Sequence, residues 1–257
     1  MNKRPKVLIT NDDSIFAPGI KHLWNAIKDT CEVTIIAPAT EKSGVGLCYT
    51  LWDPVHAHKV NWEENTHAWK ISGTPSDCVR LGINGLLSSP PDIVLSGINK
   101  GSNAGRTVLY SGTIGGIIEA TMRNVPGIAF SSQNYEEPNF HKFEKYVLPI
   151  VQYVLDHPLP QGSFLNVNFP SEEVKGIKLT RQGMSLYNQT PRLSKHPEGF
   201  NYYWMHGEWQ DHEECESSDV FALNNGFISA APIFVKDLTH NEILASRKNH
   251  FEKLLNP

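Results

Sequence analysis

The sequence has no long apolar run: none of its stretches approaches the ~20 residues that span a bilayer. The basic start (Lys3, Arg4, Lys6) resembles a secretory leader, but the apolar run behind it ends after four residues at Asn11-Asp12-Asp13, too short for a leader's hydrophobic region. Cysteine is scarce. Cys31, Cys48, Cys78 and Cys215 form no CxxC pair and no zinc-ligand spacing, so they read as buried or free thiols of a reducing compartment. A cytoplasmic protein is expected. Excess charge is also missing: the formal net charge is -4, which provides no general field for nucleic acid or an anionic membrane. An anionic ligand must then be held by a local device, a cation or a helix N-terminus. No GxGxxG follows a strand and no GxxxxGK[ST] occurs, which disfavours dinucleotide redox chemistry and P-loop hydrolysis. No internal repeat is present.

What the sequence does have is a 257-residue chain with 40% hydrophobic residues, enough for a full core without staples. Strand and helix signals alternate through its first half. Short apolar strands are expected at residues 7–10, 33–37, 93–95 and 127–131, with further strands at 49–58 and 67–72. Helical spacing follows at Ile20, Leu23, Trp24 and Ile27, from Pro75 to about Leu87, at Ile114, Ile117 and Ile118, and from Phe140 to Leu155. Wholly apolar strands alternating with helices predict an α/β fold: a mostly parallel sheet with helices on both faces, binding ligands at the carboxyl ends of its strands. Beyond it, residues 164–169 and 177–181 alternate in period two. Residues 183–226 show no sustained period but are rich in aromatics, the pattern of a lid or an exchanged arm. Thr239-x-x-Glu242 reads as a capping box opening a terminal helix.

Three loops at strand ends carry the chemistry. In the first, Asp12 and Asp13 leave the strand together. Two carboxylates so placed repel unless a cation sits between them, although an Asx turn would use the same residues. In the second, Ser43 offers a neutral oxygen and Gly44 lets backbone N–H groups approach an anion. The third runs from Ser96 through Asn99 and Asn103 to Ser111-Gly112-Thr113. Asn99 can give a carbonyl oxygen to a metal and Asn103 its amide to a phosphate oxygen. Ser111, Gly112 and Thr113 open a helix, where free N–H groups and hydroxyls seat an anion. Asp12, Asp13, Ser43 and Asn99 together supply oxygen only. That set suits one Mg²⁺ or Mn²⁺ rather than zinc. The acidic run Asp211-His212-Glu213-Glu214 reads as a solvated loop, Asp77 as the organiser of a helix start, and His56 and His58 as an exposed edge pair.

TNDDSIFAPGI, SGTPSDCV at 72–79, PDIVLSGINKGSNAG at 91–105 and YSGT at 110–113, with weaker matches in LNVNFP, LTRQG and Ser218-Asp219, resemble the SurE family (survival protein E). The resemblance implies a Rossmann-like three-layer core over about 1–135, with a helix to 157. A β-rich extension with an oligomerisation arm and terminal helix follows over about 158–257, all in one SurE-like domain. It implies a divalent ion on Asp12, Asp13, Ser43 and Asn99 and hydrolysis of nucleoside 5′- and 3′-monophosphates, with short polyphosphate a further substrate. It also implies a homodimer or homotetramer with exchanged C-terminal segments, and no stable nucleic-acid or membrane partner. Asp12 and Asn103 are the expected catalytic residues, and Gly44, Asn103, Ser111, Gly112 and Thr113 the expected phosphate-binding set. A non-catalytic sensor and an aspartyl-phosphate route remain rivals, the latter lacking the Asp-x-Asp spacing. The chain departs from the family pattern at Ser14, where glycine is usual, at Ala39 and at Arg106-Thr107.

Overall fold

A computed structural model describes residues 4–254; the first three residues, Lys3 of the basic start among them, and the last three lie outside the described residues. The chain runs β1 (Lys6–Thr10), α1 (Pro18–Asn25), β2 (Glu32–Pro38), β3 (Ala57–Asn61), β4 (His67–Ile71), α2 (Pro75–Leu81), β5 (Ile93–Lys100), α3 (Gly112–Met122), β6 (Gly127–Ser132) and α4 (Glu144–Asp156). The second part adds β7 (Ser163–Phe169), β8 (Gly176–Leu179), β9 (Leu186–Lys195), β10 (Asn201–Gln210), α5 (Asp219–Asn224), β11 (Phe227–Phe234) and α6 (Asn241–Glu252).

Nine strands form one sheet in the order β3-β4-β2-β1-β5-β6-β7-β11-β8. The pairs from β4 to β7 are parallel, while β3 and β11 each run antiparallel to one neighbour. Alternation along β1 explains the three layers. Val7 and Ile9 pack with α1 and α4 residues such as Leu23, Trp24, Val147 and Val151. Leu8 points the other way, toward Val79 of α2 and Ile114 and Ile117 of α3. Because both faces are covered, Val7–Ile9 of β1, Ile93–Leu95 of β5 and Ile128–Phe130 of β6 are apolar without alternation, as parallel sheets require. Phe143 stacks on Phe169 at 4.4 Å between ring centroids, closing the α4 side. Removing a ring so buried costs about 3–5 kcal/mol.

The α/β expectation therefore holds, with local corrections. The strand expected at 49–58 begins only at Ala57 and runs to Asn61; the segment before it is coil held by Asp77, whose carboxylate accepts the Thr50 N–H. The helix from Pro75 turns into a wider π-type turn at Gly82–Leu86, where Gly82 passes close to the Ile36 and Leu8 side chains. The turn Phe140–Phe143 is 3-10 rather than α. The aperiodic stretch 183–226 contains the β9–β10 hairpin, which pairs only with itself, and the short α5. At α6 the cap is His240, whose Nδ1 accepts the Ile243 N–H, so Thr239-x-x-Glu242 is not the box that starts it. Asp77, in contrast, does organise its helix: Thr74 and Asp77 cap each other reciprocally.

Candidate active site

The loops after β1, β2 and β5 and the N-terminus of α3 meet at the carboxyl ends of the central strands. The Lys42 N–H donates to the Asp12 carbonyl oxygen at 2.7 Å, tying the second loop to the first. The Lys100 N–H donates to Asp13 Oδ2 at 3.1 Å, tying the third. At α3, Gly112 and Gly115 permit the approach. A Cβ on Gly112 would stand 2.8 Å from the Asp12 Cβ, and one on Gly115 only 2.3 Å from the Gly46 carbonyl oxygen.

Asp12 is 4% exposed, and Thr113 Oγ1 donates to its Oδ1 at 2.5 Å. Burial pushes the Asp12 carboxyl up to about 6; the Thr113 hydrogen bond opposes the shift and the charge of Asp13 adds to it. Asp13 is likewise raised, first by burial and then by Glu41, against the Lys100 N–H. Two adjacent carboxylates, one buried and one half-buried, both with raised affinity for protons, are short of positive charge. Asn99 turns its amide to the Gly101 carbonyl at 2.7 Å, which leaves its side-chain oxygen as the group able to face a cation. Ser43 is exposed and donates to Glu41, keeping its oxygen lone pairs available. The Oδ1 of fully buried Asn11, next to the pair, has no partner. This donor set fits a hard divalent cation.

A cavity of about 870 Å³ opens here, lined by Asp12, Ser43, Gly44, Asn99, Asn103 and Ser111 and also by Tyr135, Tyr187, Trp209 and Asp211. Asp13, Gly112 and Thr113 stand outside that lining. Thr113 has a single hydroxyl hydrogen, and it goes to Asp12, so the side chain serves the carboxylate and not a bound anion. Ser111 is the N-cap of α3, its Oγ accepting the Ile114 N–H. Asn103 is fixed on all sides. Its amide donates to Ser131 Oγ at 2.7 Å, its N–H to Asn168 Oδ1 at 2.8 Å, and its carbonyl accepts from Asn166.

Sequence reasoning missed the residues that hold this third loop. Asn166 and Asn168 sit in β7, whose polar–apolar alternation reads as one wet face, yet both are fully buried. Polar residues inside a covered sheet are the signal that was legible. Asp219, also fully buried, accepts the N–H groups of Gly105, Gly183 and Val220, and burial raises its carboxyl to about 6. Glu214 corrects the reading of 211–214 as a solvated loop. Its carboxylate accepts from the backbone of Met184 and Ser185 and from Ser185 Oγ, the latter at 2.9 Å. Asp211 of the same run reaches the cleft and accepts from Trp209 Nε1 at 2.7 Å. The aromatics that line the cleft are Tyr110, Tyr135, Tyr187 and Trp209.

Fold and cleft together define an α/β protein of the doubly wound type, with a cleft at its strand ends that Asp12, Ser43 and Asn99 help to line. The model of the family described as Survival protein SurE matches residues 7–189, and the chain belongs to that family. It is 42% identical over 261 residues to the 5′-nucleotidase SurE of Protochlamydia amoebophila, covering the whole of both chains. It is 38% identical to that of Flavobacterium psychrophilum, covering 94% of this chain and 96% of the relative. The crystal structure of the SurE protein from Aquifex aeolicus superimposes with a TM-score of 0.82 at 37% identity, covering 96% of this chain and all of that one.

Proposed function

We propose that this chain is a divalent-metal-dependent phosphomonoesterase that hydrolyses nucleoside 5′-monophosphates, and 3′-monophosphates and short polyphosphate as further substrates. The observation that carries this reading is the gathering of buried Asp12 with Ser43 and Asn99 on the wall of a nucleotide-sized cleft, with half-buried Asp13 next to Asp12 in the same loop. Relatives across the full length bear the name 5′-nucleotidase, which supports the substrate class.

Asp12, Asp13, Ser43 and Asn99 hold one Mg²⁺ or Mn²⁺ per chain. When bound, the cation supplies Lewis-acid polarisation of the phosphoryl group and neutralises the carboxylate pair. Asp12 orients the attacking water and takes up its proton, and the Thr113 hydroxyl holds the receiving carboxylate in place. Asn103, with one amide hydrogen left after Ser131, donates to a non-bridging phosphoryl oxygen, beside the Gly44 N–H and the Ser111 hydroxyl at the start of α3. Tyr187 and Trp209 stack on the nucleobase across the cleft.

The protein is proposed to act as a cytoplasmic homodimer or homotetramer. Among the described residues no helix is long and apolar enough to cross a membrane. A lone two-stranded ribbon is marginal in water, yet β9–β10 leaves Leu193, Tyr203, Trp204 and Met205 exposed, and α6 buries none of its residues. A second copy covering them accounts for both.

The test is phosphate release from a panel of nucleoside 5′- and 3′-monophosphates with Mg²⁺ or Mn²⁺. Turnover that disappears with EDTA and falls about 10³-fold or more in Asp12→Asn is expected. Tight nucleotide binding with no turnover under any divalent ion would overturn the enzyme reading.

A further inference from the structure

Away from the cleft, His22 on α1, His141 in the 3-10 turn before α4, and Glu144 at the first position of α4 come together. One ligating atom from each lies within 4.8 Å of the others, the only such group of three His, Cys, Asp or Glu side chains among the described residues. His22 Nδ1 stands 2.5 Å from Glu144 Oε1, and His141 Nδ1 stands 3.4 Å from Glu144 Oε2. None of the three lines the strand-end cleft. We propose that His22, His141 and Glu144 form a second cation site that takes Zn²⁺ or a similar nitrogen-preferring ion and clamps α1 to the start of α4.

The chemistry of the set decides the ion. Two imidazoles and one carboxylate are a zinc donor set with a fourth position open to water, whereas the cleft offers oxygen alone and selects Mg²⁺ or Mn²⁺. The geometry is close to what binding needs. A tetrahedral ion about 2.0–2.2 Å from each ligand separates the ligands by roughly 3.4 Å; His141 already stands 3.4 Å from Glu144, and His22 at 2.5 Å has to draw back by about 1 Å. Only side-chain rotation is required. His141, with 83% of its side chain exposed, is free to turn, and its i,i+3 spacing from Glu144 puts both on one side of the turn. His22 and Glu144 are half-buried, and the His22 ring lies 5.9 Å from that of Phe140, so the other two ligands are already held. On binding, each Nδ1 turns its lone pair to the ion and the ring hydrogen sits on Nε2. No redox step is involved.

The clamp would bear on the cleft only mechanically. Helix α1 follows the acid-pair loop directly, and its Gly19 packs so closely on the third loop that an added Cβ would lie 1.9 Å from the Ile98 carbonyl oxygen. An ion joining α1 to α4, across 122 positions of chain between His22 and Glu144, therefore stiffens the support behind Asp12 and Asn99.

The experiment is a Zn²⁺ titration of the full chain in excess Mg²⁺, which occupies the oxygen-only set, read by calorimetry. Copper EPR on the same protein gives a second readout, because only nitrogen ligands produce imidazole superhyperfine splitting. The expected result is one Zn²⁺ per chain, bound roughly ten-fold or more weakly in His141→Ala and in Glu144→Gln and unchanged in His56→Ala. The copper spectrum should show two imidazole nitrogens in the native chain and one in His141→Ala. Two results would overturn the proposal: no Zn²⁺ bound in excess Mg²⁺, or binding that His141→Ala leaves unaltered. His141 is a surface side chain, so its variant keeps the core intact, and neither readout depends on catalytic turnover.

Discussion

Replacing Asp12 with asparagine should remove activity and, in the metal-free protein, raise stability. The carboxyl of Asp12 is buried and titrates near 6 in the fold, about two pH units above a carboxylate in an unfolded chain. At about 1.4 kcal/mol per unit, keeping it ionised at pH 7 costs the fold up to about 3 kcal/mol. The sign follows from proton binding. Between the unfolded value and about 6 the folded chain holds the extra proton, so stability falls as pH rises through that window and the penalty is complete above it. Asparagine keeps the oxygen that accepts from Thr113 Oγ1 and carries no charge. In EDTA at pH 7 the variant should therefore melt higher by several degrees, at 2–4 °C per kcal/mol for a domain near this size. The gap should close as pH falls below about 4, where the carboxyl is neutral in the folded and the unfolded chain alike. Saturating Mg²⁺ or Mn²⁺ should also close it, by stabilising the native chain alone. The assay is a pair of pH-dependent thermal melts with and without divalent ion. An Asp12→Asn protein that melts lower than the native chain in EDTA at pH 7 would refute the argument, because it would make the carboxylate a net stabiliser of the empty site.

Ser14 has φ 95°, a region where an L side chain is strained. Ser14→Gly should stabilise the chain by about 0.5–1.5 kcal/mol in urea melts, relief of strain exceeding the added unfolded-state entropy. Asp219→Ala would leave the buried N–H groups of Gly105 and Gly183 without an acceptor; a loss of about 2–4 kcal/mol is expected, with a lower kcat as the Asn103 loop loosens. Gly115→Ala would push the Gly46 backbone outward, and Ser43 and Gly44 move with it. Weaker divalent-ion affinity, by roughly ten-fold, should appear in activation curves while the fold persists. Trp209→Ala should raise KM for a nucleoside monophosphate and leave a small alkyl phosphate unaffected, because only the former has a base to stack. An equal loss on both substrates would place Trp209 in the scaffold instead.

Much of the core was legible because its signals are local. Val7 to Ile9, Ile93 to Leu95 and Ile128 to Phe130 are apolar on both faces, and burial on both faces is what a parallel sheet between two helix layers imposes. The acid pair was legible as well, since adjacent carboxylates at a strand end need compensation wherever the rest of the chain lies. The β9–β10 hairpin was not. Its strands are stabilised by pairing with each other across a turn and not by one buried face, so no period marks them.

By itself the sequence determined the layered α/β core and placed the oxygen-bearing side chains of Asp12, Asp13, Ser43 and Asn99 in loops at strand ends. Only the tertiary structure decided which residues serve the donors. Thr113 turned out to support Asp12, Asn166, Asn168 and Asp219 to anchor the Asn103 loop, and Tyr187, Trp209 and Asp211 to close the cleft from more than 80 residues away in the chain. The physical reason is that a hydrogen bond to a buried group depends on where the fold brings its partner, and nothing local in the sequence encodes that meeting.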